Sequence, residues 1–288
     1  MSQITQLASR LFTANGFSPV KTLPTDKRVR GFLNQHLLFD TTAALLVWEH
    51  KFFPQYWIPR ADFTAAAVFD KDQPVSGIES STYSLTTKEG QEKKSVPALV
   101  VPESFDHELK GLVKVEFKSI DAWYEELAEV LFHPKDPFHR VDLLPSGRQV
   151  KVEVEGAVVA DTAGEGGVVS LWETNFPGRW YLPGTAIRWQ YLRKSDTKTG
   201  CPYKGQASYY DAVVDGKEVK DVVWYYENPT QESAGIKGLY CFYPDKVRTW
   251  VDGKEIERVG MPKPRIEGIR AAREKPVGEE VKKSGCGC

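Results

Sequence analysis

The chain has 288 residues, 41% of them hydrophobic, and a formal net charge of −1. This composition suits a globular protein with room for two ordinary domains, and it carries no charge bias toward nucleic acid or a membrane surface. No apolar run approaches the roughly 18 residues of a membrane-spanning helix and no signal-peptide pattern opens the chain, so a cytoplasmic protein without stable membrane association is expected.

Residues 3–14, QITQLASRLFTA, place Ile4, Leu7 and Leu11 at helical spacing, with Asn15-Gly16 as a stop. A short amphipathic helix docking on the first domain is predicted. Thereafter the pattern is of short strands and close turns, and an internal repeat organises it. WEHKFFPQYWIP (48–59) lies without gaps over WETNFPGRWYLP (172–183), matching at the tryptophan, the glutamate, one phenylalanine and the last proline. Tyr83 to Gly90 has the spacing of Tyr209 to Gly216, and Gly111 to Trp123 that of Gly238 to Trp250. A chance match does not hold register over such a distance, so the chain reads as a tandem duplication.

The fold class expected is mostly β: two small antiparallel β domains in tandem, a short N-terminal helix and a disordered C-terminal tail. The first domain spans 1–132. The proline-bearing stretch HPKDPFHR (133–140) opens a linker reaching 147, the main domain covers 148–260, and the tail runs from 261 to 288. In the second half IRWQYL reads as a strand, and a helical turn is placed between Pro229 and Lys237. Cys201 and Cys241 sit in the body, while Cys286 and Cys288 lie in the terminal GCGC. That terminus resembles the Cys-X-Cys end of prenylated Rab-type GTPases, although exposed tail thiols are the preferred reading. Five scattered histidines and no paired cysteine motif leave no metal site and no cofactor expected.

The stretch that draws chemistry together is Lys198 to Tyr226, read as a turn and then a β-hairpin. Asp215-Gly216 suits a two-residue type I′ loop between strands Ala207–Val214 and Lys217–Tyr226. Alternation from that loop places Tyr203, Gly205, Ala207, Tyr209, Trp224 and Tyr226 on one face, rings around small residues, as the seat of a flat ligand. Trp224 and Tyr226 correspond to Ala98 and Val100 in the first half, so this face belongs to the second repeat alone. Cys201, in the CPYKG turn, is the candidate nucleophile or redox thiol, with Lys204 and Glu173 as assistants. Arg179 or Lys204 would hold an anionic edge. Trp172 and Glu173, matched by Trp48 and Glu49, are assigned first to the shared scaffold.

WETNFPGRWYLP, SDTKTGCPYKGQASYY and FYPDKV resemble the signature of the domain of unknown function family 427, with the first half similar to the diverged N-terminal copy of its two-domain members. The resemblance implies a β fold of the β-tent, Mss4-like group, whose ligands sit in a cleft between sheets, an aromatic cage in the thalidomide-binding domain of cereblon. Carried over by position, it implicates Cys201, Tyr203, Lys204, Gly205 and Tyr209 in the main motif and Trp172, Glu173, Trp180 and Pro183 upstream. The zinc-binding CxxC pairs of that group are absent. A family label pointing to nucleotidyl transfer finds no glycine-serine turn with paired aspartates here. The leading expectation is a protein that binds a small polar or planar metabolite through Trp180, Arg179 and the hairpin face. The alternatives are an enzyme using the same cleft through Cys201, and a scaffold that recruits a partner.

Overall fold

The computed structural model describes residues 3–12, 20–49, 52–74, 81–87, 95–163 and 166–256. The expected helix stop at Asn15-Gly16, Gly90, and the tail from 261 with its two cysteines lie outside the described residues. Gln3–Phe12 is helical, and its Leu7, Ala8 and Leu11 are buried with Val47, Trp57, Leu99 and Leu109. Among the described residues no helix is long and apolar enough to cross a membrane.

Each half of the chain builds one seven-stranded and one four-stranded sheet in the same order. In the first half the larger sheet runs Thr22–Thr25, Ala44–Val47, Gln55–Pro59, Leu112–Val115, Val96–Val100, Ser81–Thr87, Ala67–Pro74. In the second it runs Val141–Ser146, Val168–Glu173, Arg179–Pro183, Leu239–Phe242, Lys217–Tyr226, Gly205–Val214, Leu192–Cys201. The smaller sheets are Ala128–Glu129, Ala122–Glu125, Val29–Leu33, His36–Thr41 and, mirrored in sequence, Lys254–Ile256, Arg248–Val251, Val150–Val154, Ala157–Asp161. Identical strand order in both halves is the duplication seen as structure.

The ladders align the halves residue by residue. Gly31 pairs with Trp123 and Val29 with Glu125, as Val152 pairs with Thr249 and Val150 with Val251. The bridge Phe39 to Phe63 recurs as Ala160 to Ile187. Trp123 and Trp250, equally spaced from their glycines, are therefore not structural equivalents. A shift of one residue turns a strand side chain to the other face. Trp123 is buried in the core, whereas Trp250 is half-buried beside the cations of Lys151 and Arg248, 4.3 and 4.7 Å from its ring.

Gly31 carries the close packing of the first core. A Cβ there would lie 2.1 Å from the Phe39 ring, which is fully buried against Phe63 and Trp123. Gly31→Ala is expected to destabilise the protein by about 1–3 kcal/mol through overpacking, read as a lower urea midpoint.

Three sequence expectations are corrected. IRWQYL is not a strand: Gly184–Ala186 and Trp189–Tyr191 are 3-10 turns, with the Trp189 indole N–H donating to the Gly184 carbonyl at 2.9 Å. Val141–Ser146, placed in the linker, is the edge strand of the second large sheet and pairs along its whole length with Val168–Glu173. Lys198–Cys201 belongs to a strand rather than a turn, because Leu192–Cys201 forms the opposite edge. Its polar residues, exposed or half-buried throughout, give no apolar alternation, and its charges suit an edge that must not pair further.

By contact density the chain divides into two compact units. One comprises the chain up to Arg140 with Ser195–Tyr209 and Tyr225–Gly238, the other Val141–Lys194, Tyr210–Trp224 and the chain from Leu239. The hairpin therefore contributes its outer ends to the first unit and its loop end to the second.

Candidate ligand-binding site

Asp215 and Gly216 have φ of 47° and 78°, the left-handed pair that a type I′ loop requires, so the hairpin turns where its sequence says. The aromatic face does not stand open. Tyr203, Ala207, Tyr209, Trp224 and Tyr226 are all buried, and none of them lines either of the two cavities described below. In the second unit Trp224 packs edge-on to Tyr181 and donates its indole N–H to the Tyr181 hydroxyl at 2.9 Å. In the first, Thr199 and Tyr209 share a hydroxyl hydrogen bond of 2.6 Å. Rings with this much apolar area and a satisfied polar tip are core material. The slot expected over the hairpin is corrected to packed interior.

The CPYKG turn is held by residues that sequence assigned to a linker. The Asp136 amide donates to the Tyr203 hydroxyl at 2.7 Å, and His139 stacks on the Tyr203 ring with 4.2 Å between centroids. Burial pushes the Tyr203 hydroxyl well above the usual tyrosine value, the Asp136 carboxylate adding to the shift, so it stays neutral. The Tyr203 carbonyl accepts the hydroxyls of Ser233, at 2.9 Å, and Thr230. Gly205, at φ 100°, lets this turn close, since a Cβ would lie 3.1 Å from the Asn228 carbonyl oxygen.

Cys201 and Gly205 line a groove of about 670 Å³ in the first unit, with His133, Lys135 and Glu232. Lys135 pairs with Glu232 at 2.6 Å and Lys27 with Glu125 at 2.9 Å, so charges on its walls are matched locally. Burial holds the His133 imidazole below its ordinary value, and its ring stacks on Phe53. Lys204 is buried and lines neither cavity. Glu173 is half-buried in the second unit. Cys201, Lys204 and Glu173 thus do not meet around one cavity.

The cavity that does join predicted residues lies in the second unit, between its two sheets. It measures about 300 Å³, and its walls are Trp172, Trp180, Arg179, Leu182 and Phe242 from the large sheet and Val150, Val152, Thr249 and Ile256 from the small one. Trp172 and Trp180 meet edge to face at 6.4 Å. Gly178 makes room for this arrangement: a Cβ there would lie 2.9 Å from the Trp172 ring. Trp172 is 45% exposed, unlike its counterpart Trp48 at 6%. Sequence reasoning had given Trp172 to the scaffold and had missed Thr249, Phe242 and Arg148 altogether.

The first repeat shows what this space holds when it is filled. At the places of Ala160, Pro244 and Thr249 it carries Phe39, Phe117 and Trp123, with Tyr56 for Trp180. There Trp123 stacks on Phe117 at 5.2 Å and on Tyr56 at 5.5 Å, and meets Phe39 at 5.1 Å. The second repeat has lost three rings from the same position, and two of the replacements, Pro244 and Thr249, line the opening.

A family model described as a domain of unknown function (DUF427) matches residues 21–126 and again residues 142–253. No curated protein matches the chain.

Proposed function

The chain belongs to the DUF427 family, in a form that carries the domain twice, and from that premise we propose that it binds a small planar metabolite in the Trp172–Trp180 cavity of its second repeat. One observation carries the reading: three aromatic side chains that fill the equivalent space in the first repeat are replaced by smaller residues, and an opening walled by tryptophan, phenylalanine and proline remains. An unfilled apolar volume in a core costs stability, and occupation by a ligand recovers those contacts. Cys201 does not line this cavity, so thiol catalysis in the same cleft receives no support from the geometry.

The test is a thermal-shift screen of a metabolite library against wild type, Trp180→Ala and Trp224→Ala. A ligand present at 100 times its Kd stabilises the native state by about 2.7 kcal/mol. The expected pattern is a hit that Trp180→Ala abolishes and Trp224→Ala retains, the latter melting lower by about 3–5 kcal/mol of lost core packing. A hit lost in Trp224→Ala and kept in Trp180→Ala would move the site back to the hairpin.

A further inference from the structure

We infer that the ligand of the Trp172–Trp180 cavity is a flat, apolar monoanion, an aryl or heteroaryl carboxylate whose charge is met by Arg179; the inference rests on the binding role proposed above. The polar groups on the walls decide the sign. They are the guanidinium groups of Arg148 and Arg179, the Trp180 indole N–H and the Thr249 hydroxyl, and no aspartate or glutamate lines the cavity. A wall made almost entirely of donors selects a ligand rich in acceptors. Tryptophan faces also attract cations. That place is taken, because the Arg148 guanidinium already lies 5.1 Å from the Trp180 ring centroid.

The two arginines differ in what balances them. Arg148 Nε donates to the Asp252 carboxylate at 2.6 Å, in an ion pair that leaves its charge compensated. The Arg179 side chain makes no hydrogen bond or ion pair among the described residues, and it stands between Gly178 and Trp180 on the cavity wall. One uncompensated cation calls for one negative charge. Its planar fork matches a carboxylate through two parallel hydrogen bonds. The volume of about 300 Å³ is at the small end of ligand pockets, which suits one or two fused rings between the indoles and the proline edges.

Calorimetric titration of the full-length protein with naphthoate, naphthamide and naphthylmethylammonium, three probes of one shape and different charge, tests the sign. Naphthoate is expected to bind at least about tenfold more tightly than the amide, the worth of a charge-assisted hydrogen bond, and the ammonium most weakly. Arg179→Gln should erase the carboxylate's advantage and leave the amide's affinity unchanged. If amide or ammonium binds as tightly as the carboxylate, the cavity holds flat rings but the charge assignment is overturned. If none of the three binds, the binding role falls with it. Naphthyl phosphate distinguishes one charge from two: it should bind wild type no better than naphthoate. Asp252→Asn, which keeps an acceptor for the Gln149 amide and tolerates the φ of 51°, should reverse that order by releasing Arg148. A phosphate ester preferred by wild type would overturn the monoanion.

Discussion

Thr249→Trp is expected to abolish ligand binding in the second repeat while the protein remains folded. The first repeat carries Trp123 at the equivalent ladder position, buried and stacked on Phe117 and Tyr56. An indole introduced from Thr249 therefore enters a space that this fold accommodates elsewhere with an indole. The cavity's roughly 300 Å³ would be occupied by protein, and a ligand anchored there should lose more than about a hundredfold in affinity, close to 3 kcal/mol. Calorimetry with a screening hit measures the loss, and near-ultraviolet circular dichroism checks the fold. Undiminished binding by the variant would place the ligand elsewhere. The converse change, Trp123→Thr in the first repeat, opens a void in a closed core and should cost about 3–5 kcal/mol.

Lys114→Ala is expected to have the largest effect on stability. Lys114 is 2% exposed and its ammonium lies 3.4 Å from the Glu49 carboxylate and 3.0 Å from the Gln55 side-chain oxygen. Glu49 also accepts the Trp57 indole N–H at 2.7 Å. Removing the lysine leaves a buried carboxylate without its counter-charge, which costs about 3–5 kcal/mol at neutral pH. Burial already holds the Glu49 carboxyl above the usual carboxylate value, with Lys114 opposing the shift, so loss of Lys114 raises it further. The sign follows from linkage. A native state with the higher carboxyl pKa binds a proton that the unfolded chain has released, so stability rises as pH falls through the native value toward the unfolded one. The deficit of Lys114→Ala should therefore shrink between pH 7 and pH 5 in urea titrations, and a deficit independent of pH would dissociate it from Glu49. The second repeat solves the same position differently. Tyr181 and Cys241 pair there as Trp57 and Lys114 do in the first, so no buried lysine faces Glu173 from that ladder site.

The hairpin shows how far local chemistry could be read. Asp215-Gly216 announces its turn because few residue pairs accept two positive φ angles in succession, and the strands on either side alternate visibly. Leu192–Cys201 was illegible for the opposite reason. An exposed edge strand buries no face, so RKSDTKTG carries no period, and it is a strand because a neighbour pairs with it. The hairpin aromatics were read as a ligand seat on alternation alone. Alternation tells which side chains share a face and not what covers that face, and here it is covered.

The candidate site was hidden by the kind of comparison made between the repeats. Residues gained in the second half, such as Trp224 and Tyr226, were sought as functional. The cavity is made instead by residues lost, with Phe39, Phe117 and Trp123 replaced by Ala160, Pro244 and Thr249. Matching Trp123 to Trp250 by spacing concealed the third replacement, and only the ladders, Trp123 to Gly31 and Thr249 to Val152, correct it. A comparison of inward positions for missing ring volume would have found it, once the register was known.

The sequence by itself determined the tandem duplication, the predominance of β structure, the leading helix and the family, because periodicity, turn residues and repeated motifs are local or colinear. Tertiary structure alone decided which aromatics are core and which are wall, where the linker ends, and that the second repeat holds an open volume. Those properties depend on strand register and on what packs across from each face, and register is set by pairing between segments far apart in the chain.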